Sequence, residues 1–216
     1  MAAGKKSSGA LEIPPLNLKT IQVPIIGDSP LICHAWSEKA KKEMRDKQQK
    51  KATPGGRVAK DPWMDFCESL YWLDGMPKEP TEADVENGRF GFPAVAFKAC
   101  AITAVTSIGT MTKVMARQTF HIQGEFVELL GPPPSSREDM VRVGMGTADI
   151  RYRGEFDPWG AILNVQFNAN MLSDEQVISL FETGGFGVGI GDWRPERDGM
   201  AGRFHVARTG EKVPSR

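Results

Sequence analysis

The segment Gly184–Phe204 combines backbone freedom with positive charge, a combination suited to anion binding. Seven of its 21 residues are glycines, and a tryptophan and two arginines lie among them. Glycine has no Cβ, so its backbone adopts positive φ readily and its amide can approach a partner closely. We expect Gly189 and Gly191 to offer their amides to an anionic group. The alternative is a mobile surface loop, since short glycine patterns also arise by chance.

The aromatic and basic residues of this segment would complete a nucleic-acid contact. Trp193 would stack on a base, and Arg194 and Arg197 would contact phosphates. In a second interpretation, Trp193 is a core residue that anchors the loop to a sheet. Substitution separates the two, because losing a stacking tryptophan weakens binding and losing a core tryptophan lowers stability.

A second pair of arginines lies in Asp149–Phe156, which is predicted to be a strand. Arg151 and Arg153 are two residues apart, so both side chains would point to the same face of a sheet. Paired guanidinium groups on such a face can bind phosphates bidentately. In the structural alternative, ion pairs with Asp149 or Glu155 occupy these arginines.

Four further cations could extend this surface. Lys98 lies early in a predicted buried helix, and Arg117 precedes the next strand. Lys42 and Arg45 belong to the basic block Ser37–Lys60, which holds nine Lys/Arg and three Asp/Glu. A block of this kind is a solvated helix, a phosphate-binding surface or a docking surface for an acidic partner.

An acidic block, Asp61–Gly88, follows directly and holds eight Asp/Glu and one lysine. Because the whole chain has 27 basic and 27 acidic residues, net charge alone does not indicate nucleic-acid binding. The segregation of charge allows the basic block of one copy to dock on the acidic block of the next. The sequence therefore predicts a homo-oligomer.

Catalysis and metal binding have little support in the sequence. The three histidines, His34, His121 and His205, are scattered, and no HxH, HExxH or paired-carboxylate motif occurs. We predict no catalytic residue, no metal and no cofactor.

The cysteines and the hydropathy pattern indicate a reduced, cytoplasmic protein that does not span a membrane. Cys33, Cys67 and Cys100 form no CxxC motif and leave one cysteine unmatched. No segment has the roughly 18 apolar residues that span a bilayer. Residues 1–16 are rich in Gly, Ser and Lys and are predicted to be a disordered arm.

Hydrophobic periodicity and capping residues predict the order of the elements. Helices are expected from Ser37 to about Lys51, from Pro93 to Ile108, and from the capping box at Ser173 to a stop at Gly184. Strands are expected at Thr20–Ile26, Gln118–Leu130, Met140–Val143, Ile150–Phe156, Gly160–Asn168 and Arg203–Arg208.

This order predicts an α+β fold of the ferredoxin-like or RRM-like type, an antiparallel sheet with two helices on one face. The glycine-rich loop joins the second helix to the last strand, and a charged helical insertion, residues 37–88, follows the first strand. One domain would span residues 17–210, with a tail at 211–216. A dinucleotide site is excluded because its glycine motif follows a strand and opens a helix.

Two resemblances agree with this interpretation. A ferredoxin-like domain with a Gly-rich, Arg-containing loop before its last strand resembles the RAMP superfamily, including Cas7 backbone subunits of CRISPR effector complexes. The segment Gly91–Lys98 is similar to the opening of that family's first helix. As a whole, with SPLICHAWSEKAKKEM, MVRVGMGTADIRYRGEF and GDWRPE, the chain also resembles an uncharacterised family of tailed-bacteriophage proteins.

The RAMP resemblance implies a non-catalytic protein that binds RNA or single-stranded DNA along its backbone and polymerises side by side. Two other hypotheses remain. The chain could be a phage virion or assembly protein whose charged blocks dock neighbouring copies. It could also be a RAMP-like endoribonuclease that uses one histidine.

Overall fold

A computed structural model of the chain describes residues 15–49, 60–109, 111–143 and 147–215. Most of the predicted N-terminal arm lies outside these residues. The predicted end of the basic helix near Lys51 also lies outside them.

Nine strands and six α-helices occur in the described residues. The strands are β1 (Leu18–Gly27), β2 (Leu31–Cys33), β3 (Gly91–Pro93), β4 (Phe120–Ile122), β5 (Phe126–Leu130), β6 (Ser135–Val143), β7 (Thr147–Phe156), β8 (Gly160–Asn168) and β9 (Phe204–Val206). The helices are α1 (Glu38–Gln48), α2 (Pro62–Glu68), α3 (Glu82–Asn87), α4 (Ala94–Ile108), α5 (Lys113–Thr119) and α6 (Asp174–Gly187).

The main sheet has six strands and the ferredoxin-like order. Its path is β3-β5-β8-β1-β9, with β4 also paired to β8, and every pairing is antiparallel. In chain order, α4 lies between β1 and the strands β4 and β5, and α6 lies between β8 and β9. The predicted fold class is therefore confirmed.

Both connecting helices pack on one face of this sheet. The inward side chains of β1 and β8, such as Val23 and Leu163, are buried together with Phe97 of α4 and Phe181 of α6. Burial of each such side chain contributes about 1.5–3 kcal/mol. The opposite face carries solvent-exposed polar residues, which include Thr20, Gln22, His121 and Asn164.

A second sheet, which the sequence did not predict, has the order β2-β7-β6. Strands β6 and β7 form a hairpin, and β2 pairs with the other edge of β7. Helix α2 packs on β7, where the Ser69 hydroxyl accepts a hydrogen bond from the Gly154 amide at 2.7 Å. Helix α2 of the insertion after β1 therefore packs on the second sheet.

Several boundaries differ from the prediction, including the start of β6, which is Ser135 and not Met140. The single strand predicted at Gln118–Leu130 is two strands, because α5 extends to Thr119 and a turn at Gly124 separates β4 from β5. Helix α6 continues three residues beyond Gly184. Pro93 is the N-cap of α4 and not its first residue.

Candidate nucleic-acid interface

A cleft of about 370 Å³ lies between α1, α2 and β7, and we call it the polar cleft. The backbone amide of Ala35 donates to the carbonyl of Ser69 at 2.9 Å, which fixes the segment between β2 and α1 beside α2. Side chains from four parts of the chain line the cleft, among them His34, Trp36, Met44, Lys60, Asp65, Glu68, Asp149, Arg151 and Tyr152.

Two cations flank one carboxylate in this cleft. Lys60 Nζ donates to Asp149 Oδ1 at 2.7 Å and also to the carbonyl of Ile150. Arg151 Nε lies 3.9 Å from Asp149 Oδ2, and 37% of the Arg151 side chain is exposed. Both cations are partly exposed and Asp149 less so, at 19%, so these ion pairs lie at the border between surface and interior.

The two arginines of β7 share a face, but their environments differ. Arg153 is buried, with 6% of its side chain exposed, and pairs with Asp139 at 3.0 Å and Asp192 at 3.1 Å. Its predicted phosphate contact has no support in this environment. The ion pairs expected in the structural alternative are present, although the partners of Arg153 are Asp139 and Asp192.

The glycine-rich loop is held by hydrogen bonds to the rest of the chain. The amides of Ile190 and Gly202 donate to Gly202 and Pro30 carbonyls, and the Asp192 amide donates to Ile32 of β2. The Asp192 carboxylate also lies 3.2 Å from His34 Nδ1. The loop is therefore joined to the second sheet through both its backbone and Asp192.

The ionisation of Asp192 reflects these contacts. Burial alone would raise the pKa of Asp192. The hydrogen bond with His34 and the positive charge of Arg153 outweigh burial and hold the pKa below its ordinary value. Asp192 thus remains a carboxylate near neutral pH and links the loop to β7.

The close approaches predicted for Gly189 and Gly191 are made to the chain itself. Both residues have positive φ, 68° and 78°. A Cβ on Gly191 would lie 2.6 Å from the carbonyl oxygen of Ile32, and one on Gly189 would lie 2.8 Å from Pro195 Cδ. The Gly189 amide donates to Gly184, so it is not free to bind a phosphate.

The three large side chains of the loop have different surroundings. Trp193 is 50% exposed, which does not fit the core interpretation. Arg194 is held by Glu196 at 2.8 Å and by the Gly191 carbonyl at 3.1 Å. Arg197 is exposed and forms no ion pair within the described residues. Of the two arginines, Arg197 is the more available to a ligand.

Lys98 and Arg117 come together at the edge strand β4. Lys98 Nζ donates to the Arg117 carbonyl at 3.0 Å and lies 3.1 Å from His121 Nδ1. Burial lowers the pKa of Lys98. The Arg117 side chain is exposed. Neither Lys98 nor Arg117 lines the polar cleft, so these two predicted cations lie outside that site.

Lys42 and Arg45 lie on α1, whose Ala40 and Met44 line the polar cleft. Ser37 begins this helix as predicted, since its hydroxyl accepts from the Ala40 amide at 3.1 Å. Both cations are exposed, and the contact of Arg45 with Glu38 is loose at 3.9 Å. Helix α1 thus carries exposed cations, although neither Lys42 nor Arg45 lines the cleft.

Of the other candidate groups, His205 has carboxylate partners and the three cysteines are buried. His205 lies between Asp28 at 2.7 Å and Glu211 at 3.2 Å. The three thiols are free and buried, and burial raises the pKa of Cys67 to about 11 and of Cys100 to about 12. Within the described residues, no group of three or more His, Cys, Asp or Glu side chains could hold a metal ion.

Two residues of this surface were missed by the sequence analysis. Trp36 is 64% exposed and lines the polar cleft, but no periodicity or spacing distinguishes it. Lys60 was counted only as part of the basic block, because its contact with Asp149 joins residues 89 positions apart.

No protein-family model matches the chain, and no curated protein matches it. Among solved structures, the crystal structure of Cmr6 from Pyrococcus furiosus is similar, with a TM-score of 0.42 and 10% identity. The match covers 89% of this chain and 100% of that one. In the described part of the chain, no helix is long and apolar enough to cross a membrane.

The likeness to Cmr6 is too weak to assign a family, so the RAMP resemblance stays a prediction. At this TM-score the likeness carries no argument about function, and the fold assignment depends on strand order. The bacteriophage resemblance gains nothing from the comparisons and stays a prediction.

Proposed function

We propose that this chain is a non-catalytic protein that binds RNA or single-stranded DNA through its backbone phosphates. One observation supports this function: Lys60 and Arg151, from separate segments, line the polar cleft, and the exposed cations Lys42 and Arg45 lie on α1, the helix that forms one of its walls. These four cations are accessible, and the carboxylates that pair with them form exposed or partly exposed contacts. Phosphates can replace such contacts because exposed ion pairs are weak.

A single strand fits this surface better than a duplex. Asp65 and Glu68 lie in the same cleft, so positive charge is interrupted and does not form the broad basic patch that duplex binding uses. The chain also has no net charge. A flexible strand can thread its phosphates between these carboxylates, whereas the phosphates of a rigid duplex have fixed spacing.

The test is binding of fluorescent single-stranded RNA, single-stranded DNA and duplex DNA of equal length over a range of salt concentrations. We expect both single strands to bind more tightly than the duplex. Each phosphate contact contributes about 0.7 to the slope of log K against log salt, so four contacts give a slope of about −3. Absence of single-strand binding at low salt would refute the proposal.

Self-assembly is a second candidate, and the distribution of charge favours it. The exposed cations of α1 have a counterpart in the acidic helix α3, which carries Glu82, Asp84 and Glu86. Docking of α1 on α3 of the next copy would propagate a filament or ring along a strand. Light scattering at low salt, with and without oligonucleotide, tests this model; a monomer under both conditions contradicts it.

A further inference from the structure

The segment that follows β9, residues 207–215, turns back toward the main sheet, and we call it the strap. A turn near its start reverses the chain. The Glu211 amide donates to the Arg208 carbonyl at 3.0 Å, and Gly210 between them has a φ of 92°. Glycine adopts positive φ at low cost, so this position suits it. After the turn, the strap runs back from the edge strand β9 over the sheet.

The strap packs on β8 at one end of the open face of the main sheet, the face that α4 and α6 leave uncovered. Gly160 is four residues before the exposed Asn164 on β8, so both belong to this face. A Cβ on Gly160 would lie 2.6 Å from Val213 Cγ1 and 2.9 Å from Pro214 Cδ. Val213 and Pro214 are accordingly half-buried. The strap thus occupies the space that a side chain at Gly160 would otherwise fill.

His205 of β9 joins the strap to the turn between β1 and β2. Its Nδ1 lies 2.7 Å from Asp28 Oδ1, and its Nε2 lies 3.2 Å from Glu211 Oε2. The same Glu211 oxygen accepts a hydrogen bond from the Arg208 amide at 2.7 Å. One imidazole ring therefore contacts two carboxylates from separate segments of the chain.

Both contacts can be hydrogen bonds only if the ring is charged. An imidazolium has two N–H donors, whereas a neutral imidazole has one donor and one lone pair. Because the contact with Asp28 is the shorter, we expect a neutral ring to keep its proton on Nδ1. The lone pair of Nε2 would then face the Glu211 carboxylate and weaken the attachment of the strap.

The charged groups that line the pocket around His205 come from three elements. They belong to the turn after β1, to α6 and to the strap, and they are Asp28, Glu182, Arg208 and Glu211. The Glu182 carboxylate accepts from the Val206 amide at 2.7 Å, so it is already used at the edge of β9. Burial alone would lower the pKa of His205, but the contacts with Asp28 and Glu211 outweigh burial and raise it.

We infer that His205 is a pH-sensitive link that holds the strap on the open face when its ring carries a proton and loosens the strap when the ring is neutral. This role is separate from nucleic-acid binding. Because folding raises the pKa of His205, the protonated ring stabilises the closed strap fully below the ordinary value of about 6.5, and this contribution is lost as pH rises through the folded pKa. Rising pH should therefore uncover one end of the open face.

The experiment is hydrogen exchange of the strap amides by NMR at about pH 5.5 and about pH 8, expressed as protection factors, which correct for the direct effect of pH on exchange. We expect protection at the Arg208 and Glu211 amides to fall by about two- to fivefold between these values, the change that one partly exposed ion pair makes in an equilibrium. His205→Phe should abolish the fall. His121→Gln is the matched control, since that ring contacts Lys98 and not a carboxylate, and the fall should persist in it.

A second variant tests the link without a change in β9. Glu211→Gln removes the charge but keeps an acceptor for the Arg208 amide, so the fall in protection should shrink. If His205→Phe does not fold, as judged by circular dichroism, Glu211→Gln decides. Equal protection at both pH values in the wild-type chain overturns the inference. A fall of normal size in Glu211→Gln also overturns it, because another group would then control the strap.

Discussion

Two segments meet at His34 and differ in what their sequences reveal. The glycine-rich loop is the most unusual stretch of the sequence, yet its close contacts are with β2 and with its own backbone. Residues 34–37 form no motif, yet they present the exposed Trp36 at the polar cleft. A high density of glycines therefore indicates that another group lies close to the backbone. Only the folded structure shows whether that group is a ligand or another part of the chain.

The largest effect should come from a glycine that packs inside the loop. A Cβ on Gly202, whose φ is 66°, would collide with the carbonyl oxygen of Ile190. Strain and overpacking together should lower the free energy of unfolding by about 3 kcal/mol or more in Gly202→Ala. Urea unfolding measures this loss.

Gly187→Ala is the matched control in the same glycine-rich run. It lies at the end of α6, and a Cβ there would meet nothing within 4 Å. We expect a change within about 1 kcal/mol, neutral or stabilising, because alanine favours the helix. Equal losses in Gly202→Ala and Gly187→Ala would show that the loop is not packed as described.

Substitutions of the two arginines of β7 should differ in effect, since one should lower stability and the other should weaken binding. Arg153→Ala removes a buried partner from Asp139 and Asp192, so we expect a loss of about 3 kcal/mol in the free energy of unfolding. Arg151→Ala removes only a loose, exposed contact and should change stability by less than about 0.5 kcal/mol. In binding assays, Arg151→Ala should flatten the salt slope by about 0.7. A normal slope in Arg151→Ala would exclude Arg151 from the phosphate contacts.

The exposed cations of α1 should affect binding without affecting stability. The double variant Lys42→Gln, Arg45→Gln should reduce the salt slope by about 1.4 if both residues contact phosphates. The double variant Arg208→Gln, Lys212→Gln makes the same change of charge near the C-terminal end. Neither residue lines the polar cleft, so this variant is the control. An equal reduction in both variants would mean that the chain's overall charge, and not this helix, controls binding.

The smallest expected effect is a pH dependence at the loop anchor. Because folding lowers the pKa of Asp192, its carboxylate stabilises the fold above the ordinary value of about 4, and this contribution disappears as pH falls through the folded pKa. Asp192→Asn should therefore be less stable than wild type near neutral pH, with a difference that shrinks below about pH 4. Asp198→Asn, at an exposed loop carboxylate without an ion pair in the described residues, is the control. Urea unfolding midpoints measured at several pH values test this prediction. If the difference in midpoint between Asp192→Asn and wild type does not change with pH, the titration of Asp192 is not its cause.

Local signals explain which elements the sequence predicted. Ser173 with Gln176 forms the expected capping box of α6, and burial alternates over the last eight of the nine residues of β8. The second sheet was missed because β2 has three residues and pairs with β7 more than 120 positions away. Short strands carry too few residues to show a period.

The candidate site was less predictable than the fold because it depends on long-range contacts. The alternation of β7 correctly predicted a shared face for Arg151 and Arg153. It could not predict that Asp192, 39 positions beyond Arg153, makes one of the two a buried structural residue. Trp36 had no local signal, since a single exposed tryptophan is common on protein surfaces.

The lengths of the outer strands limit how copies of this chain can join. The outer strands of the main sheet are β3, β4 and β9, which have three residues each, and β3 includes a proline. In the second sheet the outer strand β6 is nine residues long, but it carries Arg137, Glu138, Asp139 and Arg142. Short borders and charged edges both oppose the addition of a foreign strand. Assembly of this protein should therefore use side-chain contacts, and concentrated samples should resist cross-β aggregation while the fold is intact.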